Sequence, residues 1–467
     1  MKKKVVIVIA LALSVILALT LFAGCAKTTD SAFSQGMIAV EKDGLWGFAD
    51  ESGEIVIDCK YDDVTPFVGK YAAVQMGSRA FLIDADGNDT GIELGSYSVI
   101  PNKDGSRIVA QNKNTGYYGV INTDSGEWVI SAIYDEIGFT EGGLTVVAIG
   151  EKYGLFNAEG AEICPVEYDM LSVGDNGVII FKIGEETAEA AIFAADGTLV
   201  NEKIEILGAD KLSGGMLTYY YNAAAEGAEP DYRQVIPGTE IEVSAETSEI
   251  VYATAYAYVV KETGEDGNGT YSVKKNDGSV IFEGLTSAYK DMYNDVIRID
   301  KTAADAVTPS YTYIDMLTGV LLENVPYDSS VTVVGEETIP AISFTRLPDD
   351  SLYYTLDGKI YAMDSTSPVF TGAEDESQIG MLAAGVFVET SKTGVVKIYN
   401  GATAIFEIGV GQEMYYSTSD GMGYSTSDGA YFTVKNAEGY VALYKNDGTQ
   451  LFGFDKEITD VSFAEFI

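Results

Sequence analysis

Short apolar segments separated by polar turns run through the chain after residue 36, and they predict β-strands. Four such segments follow one another early in the chain, at Leu45–Ala49, Glu54–Asp58, Asp63–Phe67 and Tyr71–Gln75. Alternating apolar positions, β-branched residues and Asp-Gly or Ser-Gly turns are typical of meandering antiparallel strands. After the N-terminal segment, no stretch keeps an apolar period of 3.6 residues. We therefore expect an all-β fold.

One composite pattern recurs along the first half of the chain. It consists of an aromatic residue followed by glycine, a turn that contains glycine, an apolar strand, and a Tyr-Asp pair. Its members are Trp46, Gly47, Gly53, Tyr61 and Asp62 in the first copy, Tyr118, Gly119, Tyr134 and Asp135 in the second, and Tyr153, Gly154, Tyr168 and Asp169 in the third. The spacing places two worn copies at Phe81–Gly87 and Ala191–Gly197. This predicts five units of about 34–38 residues within residues 37–209.

The pattern resembles that of the WG-repeat family, whose unit reads approximately Gly-x-Trp-Gly-Phe, a turn with glycine, a Val-Ile strand and Tyr-Asp. The resemblance is clear over residues 37–205 and loose beyond them. Members of the family are mostly bacterial and often exported, so the resemblance implies an architecture rather than a mechanism. Repeated four-stranded units of this length fit the blades of a β-propeller, as one large ring or two. A β-solenoid or a chain of small sheets is the alternative.

The second half of the chain repeats the strand-turn-strand pattern without the Trp-Gly signature. Residues 210–244 contain the small and acidic segment Ala223–Pro230 and are predicted to form a linker or long loop. Residues 245–467 are predicted to form a diverged β-repeat domain, with similar hairpins at Lys275–Phe282 and Lys445–Phe452. Within it, Tyr416–Gly429 holds two tandem copies of one short segment, and we interpret these as a lengthened surface loop.

The N-terminus has the features of an export signal. Three lysines, at positions 2–4, precede a run without charge from Val5 to Ala23. Leu21–Cys25 resembles a bacterial lipobox, which implies cleavage of residues 1–24, a signal helix, and a diacylglycerol thioether on Cys25. Two acyl chains hold a protein stably at a membrane. Residues 25–36 would form a flexible tether. An uncleaved membrane helix is the alternative.

The charge of the chain limits its partners. It has 71 acidic and 29 basic residues, a formal net charge of −42. Nucleic acid is excluded as a partner because binding to phosphates requires concentrated Lys and Arg. Nucleotide binding has no support because no Gly-rich loop joins a strand to a helix. We expect no cofactor. Asp84–Asp89 lacks the spacing of an EF-hand loop and is interpreted as a turn, although weak Ca²⁺ binding by the general acidity stays possible.

The chain contains no histidine. This excludes catalytic triads and zinc sites that use imidazole. Cys59 and Cys164 occupy non-equivalent positions of their repeats, so we expect free thiols. An enzyme would have to use carboxylates, as a glycan hydrolase does, but no pair among the 71 acids stands out. We expect the protein not to be an enzyme.

The signature residues have two interpretations. Trp46, Tyr118 and Tyr153 could line a carbohydrate-binding face, but their recurrence favours packing within the repeat. The Tyr-Asp pairs are expected to fix a turn through hydrogen bonds. The function that these observations favour is a membrane-anchored, extracytoplasmic lipoprotein that binds or scaffolds a protein, peptide or glycan partner. The alternatives are a carboxylate-dependent glycan hydrolase and an accessory or sensor subunit of an envelope complex.

Overall fold

The protein is described by a computed structural model that covers residues 33–140, 142–184, 188–225, 228–264, 269–285, 289–291, 295–300, 311–325, 332–334, 337–339, 342–347, 350–373, 377–408, 413–415, 431–436, 438–445 and 447–463. The expected signal helix, Cys25, most of the tether and the tandem copy at Tyr416–Gly429 lie outside the described residues. Among the described residues, no helix is long and apolar enough to cross a membrane.

Within the described residues, eleven antiparallel four-stranded sheets follow one another along the chain, and we call them blades 1–11. Blade 1 contains β1 (Ile38–Lys42), β2 (Leu45–Ala49), β3 (Ile55–Tyr61) and the C-terminal β46 (Asp460–Ser462). Blade 2 contains β4 (Asp63–Val64), β5 (Ala72–Met76), β6 (Arg79–Ile83) and β7 (Asp89–Leu94). Blade 3 contains β8 (Ile100–Pro101), β9 (Arg107–Gln111), β10 (Tyr118–Asn122) and β11 (Trp128–Tyr134). Blade 4 contains β12 (Glu136–Phe139), β13 (Thr145–Ile149), β14 (Lys152–Phe156) and β15 (Glu162–Tyr168).

The middle blades keep the same order. Blade 5 contains β16 (Met170–Gly174), β17 (Gly177–Ile183), β18 (Ala188–Ala194) and β19 (Leu199–Ile206). Blade 6 contains β20 (Gly208–Lys211), β21 (Leu217–Asn222), β22 (Tyr232–Val235) and β23 (Glu242–Ser244). Blade 7 contains β24 (Ser248–Ala253), β25 (Ala257–Thr263), β26 (Gly269–Lys275) and β27 (Val280–Leu285). Blade 8 contains β28 (Tyr289–Asp291), β29 (Val296–Asp300), β30 (Tyr311–Asp315) and β31 (Leu321–Val325).

The last blades follow a two-stranded hairpin of β32 (Thr332–Val334) and β33 (Glu337–Ile339). Blade 9 contains β34 (Ser343–Arg346), β35 (Leu352–Leu356), β36 (Lys359–Ala362) and β37 (Pro368–Thr371). Blade 10 contains β38 (Gln378–Ala383), β39 (Val386–Thr390), β40 (Val396–Asn400) and β41 (Thr403–Ile408). Blade 11 contains β42 (Glu413–Tyr415), β43 (Tyr431–Lys435), β44 (Val441–Lys445) and β45 (Gln450–Phe452). Short 3₁₀ helices span Ser34–Gly36 and Phe454–Lys456.

The blades close into one ring. The C-terminal strand β46 pairs antiparallel with β1, with Val40 opposite Val461. Eleven apolar clusters of described residues each join two neighbouring blades. One of them joins blade 11 to blade 1 through residues such as Leu443 and Val461. The all-β propeller is therefore confirmed, and it is one large ring rather than two.

Two features of the predicted organisation differ from the structure. The segment 210–244 is not a linker: its strands complete blade 6, and the described residues 223–225 and 228–230 lie between β21 and β22. The sequence repeat and the blade also begin at different positions along the chain. Blade 1 ends with β3 at Tyr61, and blade 2 begins with β4 at Asp63. A repeat counted from the aromatic residue therefore spans the end of one blade and the start of the next.

Neighbouring strands of a blade run in opposite directions, so the strand ends lie on two opposite faces of the ring. In blades 2–11, the first and third strands end, and the second and fourth strands begin, on one face, which we call the entry face. The described chain enters there, because the Phe33 ring packs 5.6 Å from that of Tyr431 at the start of β43, and Gln35 Nε2 donates to Gly69 O at 2.9 Å. The second and fourth strands end, and the first and third strands begin, on the opposite face, called the far face.

Candidate functional site

The signature aromatic residues lie opposite the signature tyrosines in the two outer strands of their blades. The Cα partners are Trp46 and Tyr61 in blade 1, Tyr118 and Tyr134 in blade 3, and Tyr153 and Tyr168 in blade 4. Trp46 packs against the apolar cluster between blades 1 and 2. These side chains are part of the packing between blades.

The glycine after each aromatic residue is required by a bulge in the facing strand. A Cβ on Gly47 would lie 2.5 Å from Ile57 O and 2.7 Å from Cys59 N. Gly119 meets the same obstacle, since its Cβ would lie 2.6 Å from Ile130 O. The register between the two outer strands shifts at this point in blades 1, 3 and 4. Only glycine lets the bulged backbone approach so closely.

The signature tyrosines fasten one blade to the next. Tyr61 is 1% exposed, and its ring packs 6.4 Å from that of Phe81 in blade 2. Tyr134 packs in the same way on Phe156, with ring centroids 5.9 Å apart. The Tyr168 hydroxyl has a raised pKa because burial disfavours the phenolate and Cys164 is a hydrogen-bond partner. The signature tyrosines are therefore packing elements of the blades.

The signature aspartates begin the following blade and cap its far-face turn. Asp62 Oδ2 accepts a hydrogen bond from Gly77 N at 2.5 Å, and Asp135 Oδ2 accepts one from Gly150 N at 2.7 Å. Asp169 Oδ2 accepts from Ile183 N at 3.0 Å. The backbone contributes as well, because Asp62 N donates to Gln75 O at 2.9 Å. Each aspartate therefore fixes a turn of the next blade, and its carboxylate stays at the surface.

The turns with glycine pack against the preceding blade. Gly53 has a φ of +75°, and a Cβ there would lie 2.7 Å from the Phe452 Cβ of blade 11. Asp50 Oδ1 accepts hydrogen bonds from Ser52 N at 2.8 Å and Glu54 N at 3.1 Å, and the Ser52 hydroxyl is the main cause of the lowered Asp50 pKa. Asp84 Oδ1 caps the equivalent turn of blade 2 in the same way. The Asp84–Asp89 segment is thus built as a turn.

Comparisons with known proteins agree with this construction. The family described as "WG containing repeat" matches residues 46–79 and 118–153. The chain carries WG repeats. Each match runs from an aromatic residue of an outer strand across the blade boundary into the third strand of the next blade, so the WG repeat is a unit of blade-to-blade contact. No curated protein matches the chain significantly.

Solved structures resemble the ring only distantly. The structure of a eukaryotic initiation factor is 12% identical, with a TM-score of 0.29, and the match covers 80% of this chain and 95% of that one. Dipeptidyl peptidase 4 of Porphyromonas gingivalis is 11% identical, with a TM-score of 0.31 and coverages of 76% and 58%. Oligopeptidase B of Leishmania major is 11% identical, with a TM-score of 0.24 and coverages of 62% and 52%.

The blades without a WG signature contain buried charged groups. Asp315 at the end of β30 is 2% exposed and pairs with Arg346 of blade 9, with Nη2 and Oδ1 2.6 Å apart. The Thr318 hydroxyl donates to Asp315 Oδ2 at 2.7 Å. Nearby, the Tyr252 hydroxyl donates to Asp295 Oδ1 at 2.5 Å, and its pKa is raised by burial and by this hydrogen bond. This group joins blades 7, 8 and 9 at the entry face.

A second buried acid lies at the far face of blade 10. Glu389 is 2% exposed and accepts hydrogen bonds from Tyr399 Oη, Ser377 Oγ and Ala373 N, each at 2.7 Å. These three donors fix the position of the Glu389 carboxylate among the groups around it. Sequence analysis did not single out Asp315 or Glu389. The available signal was a lone acid at the end of an otherwise apolar or aromatic strand segment, as in Tyr311–Asp315.

The far face of blades 1–6 exposes an array of apolar side chains. Of the sixteen exposed large apolar side chains among the described residues, ten lie at far-face strand ends or connections of these blades. They are Met76, Ile149 and Ile183 at the ends of second strands, Leu45, Tyr117 and Tyr232 at the starts of third strands, and Ile100, Ile133, Met170 and Leu207 at blade junctions. The other six lie at the entry-face starts of outermost strands. An array of this kind marks a candidate binding surface.

Proposed function

We propose that the chain is a lipoprotein of the cell envelope, anchored to the outer side of the cytoplasmic membrane through Cys25, whose ring binds or scaffolds a protein, peptide or glycan partner. The observation that carries the proposal is the apolar array on the far face. The residues of the WG signature hold the blades together, so function falls to other surfaces of the ring. This also fits a protein that acts by binding.

The direction of the chain supports the anchoring. The described chain enters on one face, through Phe33 and Gln35, and the apolar array lies on the opposite face. A tether from a lipidated Cys25 would therefore reach the ring on the entry face. In this arrangement the far face points away from the membrane.

Two experiments test the proposal. Cys25→Ala is expected to release the protein from membrane fractions or to leave the signal uncleaved, and to abolish palmitate labelling. Unchanged processing and labelling would contradict the anchoring. For binding, a photo-reactive amino acid is placed at Met76 on the far face or at Val280 on the entry face. Cross-linking of one specific envelope component from Met76 alone is expected. Equal products from both positions would contradict a far-face site.

The proposal also expects no turnover of cell-wall glycans. Purified protein incubated with peptidoglycan is expected to release no reducing ends. Hydrolysis that is lost on substitution of a single Asp or Glu would overturn the proposal in favour of a carboxylate-dependent hydrolase.

A further inference from the structure

The far-face apolar side chains occur together with carboxylates, in pairs that recur from blade to blade. Met76 precedes Gly77, whose amide donates to Asp62, and Ile149 precedes Gly150, whose amide donates to Asp135. The Ile183 amide itself donates to Asp169. In blades 2, 4 and 5 an exposed apolar side chain therefore lies beside an aspartate that the turn holds in place.

The three aspartates differ in whether a cation of the ring pairs with their carboxylate. Asp169 Oδ1 is 2.6 Å from Lys152 Nζ, so its charge is largely neutralised within the ring. For Asp62 and Asp135, the hydrogen bonds come from neutral backbone amides, and both residues are exposed. A backbone amide fixes a carboxylate without cancelling its charge. These two positions offer rigid negative charges next to Met76 and Ile149.

We propose that the far face of blades 1–6 docks a basic, amphipathic polypeptide, whose apolar side chains cover residues such as Met76, Ile149 and Ile183 while its Lys or Arg side chains pair with Asp62 and Asp135. This rests on the proposed binding function and names the chemistry of the partner. The net charge of −42 steers a cationic partner toward the ring and opposes a second copy of the chain on the same surface.

The chain offers a matched control for the apolar contacts. Met76, Ile149 and Ile183 are 43%, 44% and 61% exposed on the far face. Leu199, Val369 and Val280 are 46%, 41% and 51% exposed at the entry-face starts of outermost strands. Replacing each set by serine removes similar exposed apolar surface from opposite sides of the same ring. Unchanged thermal midpoints establish that both triple variants are folded.

The probe is a fluorescent peptide of alternating Lys and Leu, measured against the full-length protein by anisotropy, with a Glu-Leu peptide of equal length as reference. The far-face triple variant is expected to lose at least about tenfold in affinity for the Lys-Leu peptide, and the entry-face triple variant less than about twofold. Equal losses in both variants, or equal binding of the Glu-Leu peptide, would overturn the inference.

The charges are tested separately. Asp62→Asn with Asp135→Asn keeps an oxygen acceptor for each turn amide but removes both charges. This double variant is expected to weaken Lys-Leu binding and to reduce its dependence on salt, whereas the entry-face pair Asp86→Asn with Glu127→Gln should change neither. An unchanged salt dependence in the far-face variant would overturn the assignment of these carboxylates.

Two further results separate this inference from the proposed function. In one outcome, Met76 cross-links specifically to an envelope component, but the far-face variants bind the Lys-Leu peptide as tightly as the wild type does. This outcome would support the binding function and reject a basic partner. Sedimentation that shows dimers of the wild type but not of the far-face triple variant would place a second copy on this surface and overturn the inference.

Discussion

The WG blades and the later blades build the same four-stranded sheet but join their neighbours by different means. Blade 1 is joined to blade 2 by a buried tyrosine, a close-packed glycine turn and the exposed aspartate Asp62. Blades 8 and 9 are joined across a buried ion pair, Asp315 with Arg346. The tyrosine, the glycine turn and the aspartate recur at equivalent positions of several blades, whereas the buried ion pair needs one specific partner. The boundary between blades 8 and 9 therefore depends on a contact of its own, and the boundary between blades 1 and 2 on one that recurs.

The largest effect is expected from breaking the buried ion pair between Asp315 and Arg346. Asp315→Ala leaves the Arg346 guanidinium in a site where its side chain is 11% exposed. Removing one partner of a buried ion pair costs about 3–5 kcal/mol, so the midpoint of urea unfolding should fall strongly. The double variant Asp315→Leu with Arg346→Met removes both charges and should recover most of the loss. If the single variant costs less than about 1 kcal/mol, the pair does not hold blades 8 and 9 together.

A smaller loss is expected at the WG glycine. Gly47→Ala places a methyl group against the backbone of Ile57 and Cys59, which cannot move without disturbing the bulge. Overpacking of this kind costs about 1–3 kcal/mol in the free energy of unfolding. Gly138 in β12 is the control, since a Cβ there would meet no atom within 4 Å. Similar unfolding midpoints for the two alanine variants would show that the glycine does not serve the bulge.

The aspartate of the WG repeat should matter less for stability. Asp62→Ala removes the acceptor for Gly77 N at an exposed turn, which costs about 0.5–1.5 kcal/mol. Asp62→Asn retains an acceptor and should restore most of the stability. Thermal midpoints of the two variants decide this. An asparagine variant as unstable as the alanine variant would assign the effect to charge instead.

The smallest effect concerns Cys59 of blade 1 and Cys164 of blade 4, whose thiols are free. Burial raises the pKa of Cys59 and of Cys164, so each has less thiolate at pH 8 than an exposed cysteine. Native protein should react slowly with a thiol reagent, and both thiols should react rapidly in urea. Fast labelling of Cys59 or Cys164 in the native protein, located by peptide mapping, would contradict the packing of these strands.

The predicted strands Leu45–Ala49, Glu54–Asp58 and Tyr71–Gln75 overlap β2, β3 and β5, because apolar alternation and turn glycines are local signals. The blade boundary between Tyr61 and Asp63 was not predictable, since a periodic sequence has no marked origin. Blade 6 was predicted as a linker because Ala223–Pro230 is rich in small residues, although such residues suit a turn between two strands equally well. The importance of Asp315 depends on a partner 31 residues away, which no local pattern reveals.

The ring closure is a similar case. It depends on β46, three residues long, which has no signature of its own and which pairs with β1 at the other end of the chain. The far-face array was equally hidden. Met76 and Ile149 stand at the ends of apolar strands, where the sequence does not distinguish a buried residue from an exposed one.

The central claim is that the blades form one closed ring, and a disulfide across the closure tests it most directly. Glu41 of β1 lies opposite Asp460 of β46. In a chain with Cys59→Ser and Cys164→Ser, the pair Glu41→Cys with Asp460→Cys should form a disulfide spontaneously, seen as a mobility shift without reductant. The bond should also raise the unfolding midpoint. Persistently free thiols at these two positions in the folded protein would show that the ring is not closed by β46.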